Sequence, residues 1–391
     1  MESTVLTSSK NGKKRKMTVI IKIGIFVLNI VYAVIKLCPT QKKIVMISRQ
    51  SNIPSSEFKM IQKEIYRQDK KTKVVLLCKT LDGGVDSTIF NKIKYAFHML
   101  VQMYHIATAK VVILDSYCIV VSILNHKKSL KVIQMWHSMG TMKKFGYTAL
   151  DTAEGSSSRI AHAMKMHHNY DYVFASAEAY KDHLASGFNC DKKKILTMPL
   201  PRLDLLQSRS YALKTQEKVY EKYPVLREKP VIMYCPTFRK DEADFEKACY
   251  NLVNAVDTDK YNLVMKLHPL SKVQLNDNVI QAKEFSSFDI LFVADYVISD
   301  YSCIVYEAAV RDIPLYFYNF DMELYTDGRG LAIDYEHELP GVTSKDAKVI
   351  AEAIDSQQYD MEELKAFTEK YIRPTKNATK DIVDFVWKFM E

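Results

Sequence analysis

Short apolar runs rich in β-branched residues recur along this chain at helix-length intervals, and that recurrence leaves few folds open. Lys43–Ser48, Val74–Cys78, Val111–Asp115, Val132–Trp136, Tyr172–Ser176 and Ile195–Pro199 form one series, and Val231–Cys235, Leu263–Leu267, Tyr296–Ser299 and Leu315–Tyr318 a second. Runs of this length and composition read as buried strands, and the intervals between them, such as Glu57–Gln68, read as helices. The alternation predicts an α/β chain whose parallel sheets are covered by helices. Pro199-Leu200-Pro201-Arg202 and the charged stretch Lys214–Lys229 interrupt the rhythm, so two consecutive doubly wound domains are expected. A chain of 391 residues that is 48% hydrophobic can bury two cores. The expected divisions are 1–42 as a basic, membrane-associating N-terminus, 43–205 and 206–376 as the two domains, and 377–391 as a closing helix. In that last segment Ile382, Val383, Val386, Phe389 and Met390 recur at helical spacing, which suits packing back on the first domain.

The N-terminal segment carries the location. Lys10, Lys13, Lys14, Arg15 and Lys16 precede the apolar stretch Met17–Cys38, and Lys42 and Lys43 follow it. The stretch is long enough to cross a bilayer, yet both flanks are basic, and Lys22, Asn29 and Lys36 fall on one helical face. An in-plane helix at the anionic cytoplasmic face of a bacterial membrane, peripheral or monotopic, is the favoured reading; a spanning helix, a processed signal segment and a buried first helix stay open.

A net charge of +9 calls for an anionic partner. No basic and aromatic interleaving of the kind that holds single strands is present, so nucleic acid is not expected. The seven cysteines are odd in number and lack a CxxC pair, which argues for a reducing compartment and against a disulfide or zinc frame. His162, His167 and His168 lack carboxylate neighbours at ligand spacing and read as a polar helix face, so no metal site is expected. Asp82-Gly83-Gly84 reads as a turn.

Three polar clusters sit just past predicted strands, where open α/β sheets place their binding residues. In Trp136-His137-Ser138-Met139-Gly140, His137 is a candidate general base, with Ser138 and Gly140 small enough for substrate to approach the backbone and Lys143 and Lys144 adding charge. In Lys266-Leu267-His268-Pro269-Leu270, Pro269 stiffens the turn that presents His268, a candidate donor to a phosphate oxygen. In Ser299-Asp300-Tyr301-Ser302-Cys303, Asp300 or Ser302 can cap a helix over Ile304–Val310, and the hydroxyls and free N–H groups there offer a phosphate cradle. Arg239, after Val231–Cys235, has the geometry to grip a phosphate with two bonds, and Glu307 to accept from ribose hydroxyls. A loop histidine, a helix cap and a solvated glutamate are the plain alternatives for these positions.

Trp136 through Gly146, Pro236-Thr237-Phe238-Arg239, Lys266 through Leu270 and Ser299 through Ser302, taken as an ordered set with Asp321 through Gly330 and Asp334-Tyr335 to Pro340-Gly341, resemble the CDP-glycerol glycerophosphotransferase family of teichoic acid and capsule synthesis. The resemblance covers roughly residues 43–370 and implies a GT-B architecture, two Rossmann-like domains facing a cleft. It implies transfer of a polyol phosphate, glycerol phosphate in the first reading, from CDP-glycerol to a hydroxyl of a lipid-diphosphate-linked glycan or growing chain, with CMP released and no cofactor. It assigns His137 as base and His268, Arg239, Ser299 and Ser302 to the diphosphate. Glu307 matches the ribose-binding acid of related two-domain transferases. Relatives commonly carry a second serine where Cys303 stands. The absence of a long extra domain resembles the compact priming enzymes. CDP-ribitol as donor, a nucleotide-sugar GT-B glycosyltransferase and a non-enzymatic polyanion-binding scaffold remain the alternatives.

Overall fold

The computed structural model describes residues 2–80, 88–276 and 279–391, and the turn expected at Asp82-Gly83-Gly84 lies outside them. The expected strands form, with ends within one or two residues of the apolar runs: β1 (Lys43–Ser48), β2 (Lys73–Cys78), β3 (Val111–Leu114), β4 (Lys131–Gln134), β5 (Tyr172–Ala175), β6 (Ile195–Thr197), β7 (Val231–Cys235), β8 (Asn262–Met265), β9 (Tyr296–Ser299) and β10 (Leu315–Tyr318). A two-residue strand, β11 (Thr343–Ser344), was not anticipated because it is too short and too polar to register as a run.

Every strand pair is parallel. The first sheet runs β2-β1-β3-β4-β5-β6 and the second β11-β10-β9-β7-β8. Each therefore starts at an inner strand, steps once to one side and then winds back to the other. The order reverses between β1 and β3 in the first sheet and between β7 and β9 in the second. Beyond the carboxyl ends of such neighbouring strands the connections diverge and open a crevice.

The two halves share apolar packing. Met139, Met142 and Tyr180 of the first half belong to the same buried cluster as Tyr301, Tyr306 and Phe367 of the second. A separate cluster, including Phe245, Leu252, Ile298 and Ile350, fills the far side of the second sheet. The loop after β4 also pairs by backbone with the second half: Lys144 N–H donates to the Gly330 carbonyl at 3.0 Å and Ala332 N–H to that of Met142 at 2.9 Å. The closing helix Ala378–Trp387 packs on the helix Ser56–Gln68 of the first half, with Gln68 donating to Asp384 at 3.2 Å.

The N-terminal helix runs Glu2–Ile35, and its Met17–Ile35 portion has a mean hydropathy of 2.4, apolar and long enough to cross a membrane. The stripe containing Asn29 and Lys36 is turned toward the protein. The Asn29 amide donates to the Ile123 carbonyl at 3.0 Å, Tyr32 meets His126 at 2.9 Å, and the Lys36 ammonium donates to the Asn125 carbonyl at 2.7 Å. Polar groups on an apolar helix thus find partners in the loop after β3, and the opposite, apolar side is left exposed.

Candidate functional site

A cleft of about 630 Å³ opens where the two crevices face each other, and it collects residues from both halves. His137, Ser138, Gly140, Lys143 and Lys144 enter from the loop after β4, His268 and Ser302 from the loops after β8 and β9, and Glu307 from the helix Ile304–Val310 that follows β9. The three segments, far apart in sequence, thus meet as the strand-end reading requires.

The loop after β4 departs from regular geometry at the residue before the histidine. Trp136 has φ of 69°, a left-handed conformation that bulky side chains rarely adopt and that costs about 1–3 kcal/mol. Packing holds it there: the indole lies 4.9 Å from the Phe145 ring and 5.2 Å from that of Phe188, and its backbone N–H donates to the Gln134 side chain at 2.9 Å. The turn swings His137 back over the end of β3, where its Nδ1 lies 2.9 Å from the Asp115 carbonyl oxygen. A carbonyl can only accept, so Nδ1 carries the proton and Nε2 keeps its lone pair. The ring edge is open to the cleft, but the walls crowd it, and that desolvation lowers its pKa below the ordinary imidazole value, against the raising effect of the Asp115 carbonyl. His137 is thereby neutral at physiological pH.

His268 holds the opposite tautomer. The Leu270 backbone N–H donates to its Nδ1 at 3.2 Å, so the proton resides on Nε2. The ring packs 4.9 Å from Phe238. Behind it, Lys266 is buried and donates to the carbonyls of Gln281, Ala282 and Phe285 at 3.1, 2.8 and 2.8 Å, fixing the neighbouring loop. One histidine is therefore an acceptor and the other a donor toward the same cleft.

Three expected binding residues are placed otherwise. Arg239 is buried and committed to carboxylates: it donates to Asp321 at 2.6 and 3.0 Å and to Asp300 at 2.9 Å. Burial opposes its charge, but Asp300 and Asp321 more than offset that and raise its pKa. A guanidinium so paired cannot also grip a phosphate. Asp300, fully buried, accepts from the Thr237 N–H at 2.8 Å and from the Tyr301 N–H at 2.5 Å, so it anchors the loops after β7 and β9 and does not cap a helix. Ser299 points inward and donates to the Cys235 carbonyl at 2.7 Å. The helix over Ile304–Val310 forms with Cys303 at its cap and no side-chain cap bond; the Ser302 hydroxyl, in the cleft, only approaches the Ile304 N–H at 3.4 Å.

Two smaller corrections follow from packing. Gly140 is small because a Cβ there would collide with the Tyr180 hydroxyl and the Tyr306 ring, so it admits the other half of the protein as well as bordering the cleft. His167 does not lie on a polar helix face: the helix ends at Ala163, and the ring is buried against Phe188, Tyr117 and the Tyr170 hydroxyl. Among the described residues no group of three or more His, Cys, Asp or Glu is placed to hold a metal ion.

The residue that sequence reasoning passed over is Arg202. It begins a short helix after the Pro-Leu-Pro break, lines the cleft, and pairs with Glu57 of the first half and Glu307 of the second. Both carboxylates are almost fully buried. Desolvation raises the Glu307 pKa against the pull of Arg202, whereas at Glu57 Arg202 and the local hydrogen bonds overcome desolvation and lower it. Glu307 is thus neither a solvated glutamate nor a free acceptor. Lys143 also reaches across, its ammonium 3.2 Å from the Thr237 hydroxyl and 5.8 Å above the Tyr325 ring, and desolvation lowers its pKa. The exposed Lys144 side chain borders the cleft, and Ser138 donates to the Gly140 carbonyl at 2.6 Å.

The sequence profile of the CDP-glycerol:poly(glycerophosphate) glycerophosphotransferases matches residues 30–388, through both sheets and every wall of the cleft. The chain belongs to this family. The teichoic acid ribitol-phosphate primase of Bacillus spizizenii is 29% identical to this chain over 367 residues, 90% of this chain and 93% of that protein. The teichoic acid glycerol-phosphate primase of Bacillus subtilis is 26% identical over 311 residues, 78% of this chain and 80% of that protein. The structure of the wall teichoic acid polymerase TagF superposes with a TM-score of 0.72 at 20% identity, over 96% of this chain and 98% of that chain, and so shares its fold. The family, and with it polyol-phosphate transfer in teichoic acid synthesis, is thereby fixed.

Proposed function

We propose that this transferase moves a polyol phosphate from a CDP-polyol to a hydroxyl of a lipid-linked glycan or growing chain and releases CMP, with the two sheet-bearing halves acting as the Rossmann-like domains of a GT-B enzyme. The observation that carries the proposal is the pair of histidines held in opposite tautomers in one cleft. His137 Nε2 accepts the proton of the acceptor hydroxyl as its oxygen attacks the β-phosphorus. The bond from that phosphorus to the oxygen bridging the two phosphorus atoms breaks, and CMP leaves with that oxygen. His268 Nε2–H donates to a phosphate oxygen and, with Lys143, meets the charge that builds there. These side chains supply the charge stabilisation, so no metal is assigned a role. Ser302 brings a hydroxyl into the cleft, while Ser299, Asp300 and Arg239 hold the loops after β7 and β9 behind it.

Glycerol phosphate is the first reading of the transferred group, after the family's description. Ribitol phosphate is the second, favoured by the relative matched along 93% of its length. The apolar N-terminal helix supports placement at the cytoplasmic membrane face, where a lipid-diphosphate-linked acceptor would be met. The test is CMP release by the purified full-length protein with CDP-glycerol or CDP-ribitol and a short lipid-linked glycan. Release from one donor, lowered about 10²–10⁴-fold in His137→Ala, is the expected result. Silence with both donors, or an undiminished His137→Ala, overturns the reading.

A further inference from the structure

Three neighbouring strands of the first sheet end around one ring. β3 lies between β1 and β4, and the register pairs Ile47 with Leu114 and Leu114 with Gln134, so the loops after all three begin level with one another. His137 follows β4, Asp115 follows β3 and Gln50 follows β1. The loop after β1 is pinned: the Arg49 N–H donates to the Ser116 hydroxyl at 3.0 Å and the Gln50 N–H to the Ser48 hydroxyl at 3.1 Å. The Gln50 side-chain amide then ends at the His137 ring, 3.3 Å from Nδ1, the nitrogen that also lies 2.9 Å from the Asp115 carbonyl oxygen.

Hydrogen-bond chemistry allows one arrangement of these three groups. The Asp115 carbonyl is main chain and can only accept, so Nδ1 carries a proton, and an amide N–H aimed at it would set donor against donor. The Gln50 amide can turn end for end about its last torsion. Its oxygen then faces Nδ1–H, which is shared between two acceptors. With the amide nitrogen there instead and the ring proton on Nε2, Nδ1 would face the Asp115 oxygen lone pair to lone pair, and Nε2 could accept nothing from a hydroxyl.

We propose that Gln50 is a positioning residue for His137, its amide oxygen sharing the Nδ1 proton with the Asp115 carbonyl so that Nε2 is presented unprotonated to the acceptor hydroxyl. The second acceptor also steadies the imidazolium that forms as the hydroxyl proton is taken up. The charges that reach the ring are Arg202, which lowers its pKa, and Glu57, which raises it. Arg49, on the same loop as Gln50, has its guanidinium turned over the Tyr95 and Tyr117 rings, and the buried Asp115 carboxyl group, its pKa raised by desolvation, accepts from Ser116 at 2.8 Å. Substitution at Gln50 leaves all of these in place. The inference deepens the reading of His137 as base and rests on it for its effect on turnover, but the ring's tautomer and titration are read without donor or acceptor.

The test is a titration of the full-length protein carrying ¹⁵N-labelled histidine, followed by nitrogen NMR, with His137→Ala identifying the His137 signals by their loss. The expected parent ring is protonated at Nδ1 when neutral. Gln50→Glu, which keeps an oxygen and adds charge, is expected to move the midpoint up by about one pH unit, tenfold in proton affinity. Gln50→Leu is expected to move it down and to lower kcat about 3–10-fold with the donor KM unchanged, whereas Gln50→Glu keeps kcat at pH above its shifted midpoint. A parent ring protonated at Nε2 overturns the proposal, as does an unmoved midpoint in Gln50→Glu or a Gln50→Leu variant whose kcat equals that of the parent. The expected titrations in a protein that turns over neither donor uphold the contact and overturn only the transferase reading.

Discussion

Replacing Arg202 by methionine isolates the ion cluster that joins the two halves. Arg202 is the cation in contact with both Glu57 and Glu307, which are 4% and 5% exposed. Without it, two carboxylates share a dry site and neither can hydrate. Removing one partner of a buried ion pair costs about 3–5 kcal/mol, and here the stranded charges also repel. We expect Arg202→Met to lose about 3–5 kcal/mol in urea unfolding at neutral pH. The sign of its pH dependence follows from the carboxylates. Glu57, with a lowered pKa in the native protein, contributes stability above its unfolded value that is lost as pH falls through the folded one. Glu307, with a raised pKa, does the reverse: stability is regained as pH falls through its folded value toward its unfolded one. In the variant both behave like Glu307, because desolvation is unopposed. The deficit should therefore shrink between neutral pH and about pH 5, as the buried carboxylates take up protons. Adding Glu57→Gln and Glu307→Gln to the variant should recover most of it at neutral pH. A loss below about 1 kcal/mol that does not change with pH would falsify the view that this cluster is buried and mutually compensated.

The lowered pKa of His137 sets the acid limb of the activity profile: kcat/KM should rise with pH along a limb centred below about 6.5, the ordinary imidazole value, because only the neutral ring accepts a proton. A limb centred above that value would contradict the desolvated, neutral base. Arg239→Ala should lose about 3–5 kcal/mol of stability by leaving Asp300 and Asp321 unpaired, seen as an earlier urea midpoint. If it instead raised the donor KM with stability intact, Arg239 would be a substrate ligand after all.

The histidines were legible because their signal is local. A strand end followed by His-Pro or His-Ser-Met-Gly names its own position in the sheet, and both rings do reach the cleft. The glutamate and the arginines were not legible in the same way. Arg239 looked like a phosphate ligand until Asp321 and Asp300, 82 and 61 positions further along the chain, were found bonded to it. Arg202 looked like a residue at a chain break until Glu57 and Glu307 met on it, 145 and 105 positions away.

The sequence by itself determined the α/β alternation, the strand ends at which polar clusters stand, and the family, because strand length, hydrophobic period and short motifs are properties of neighbouring residues. Only the tertiary structure decided which charged groups are free to meet a substrate, because buried charges must find partners and those partners come from distant segments. It likewise decided the left-handed Trp136 that aims His137, since only packing against Phe145 and Phe188 holds a tryptophan in that conformation.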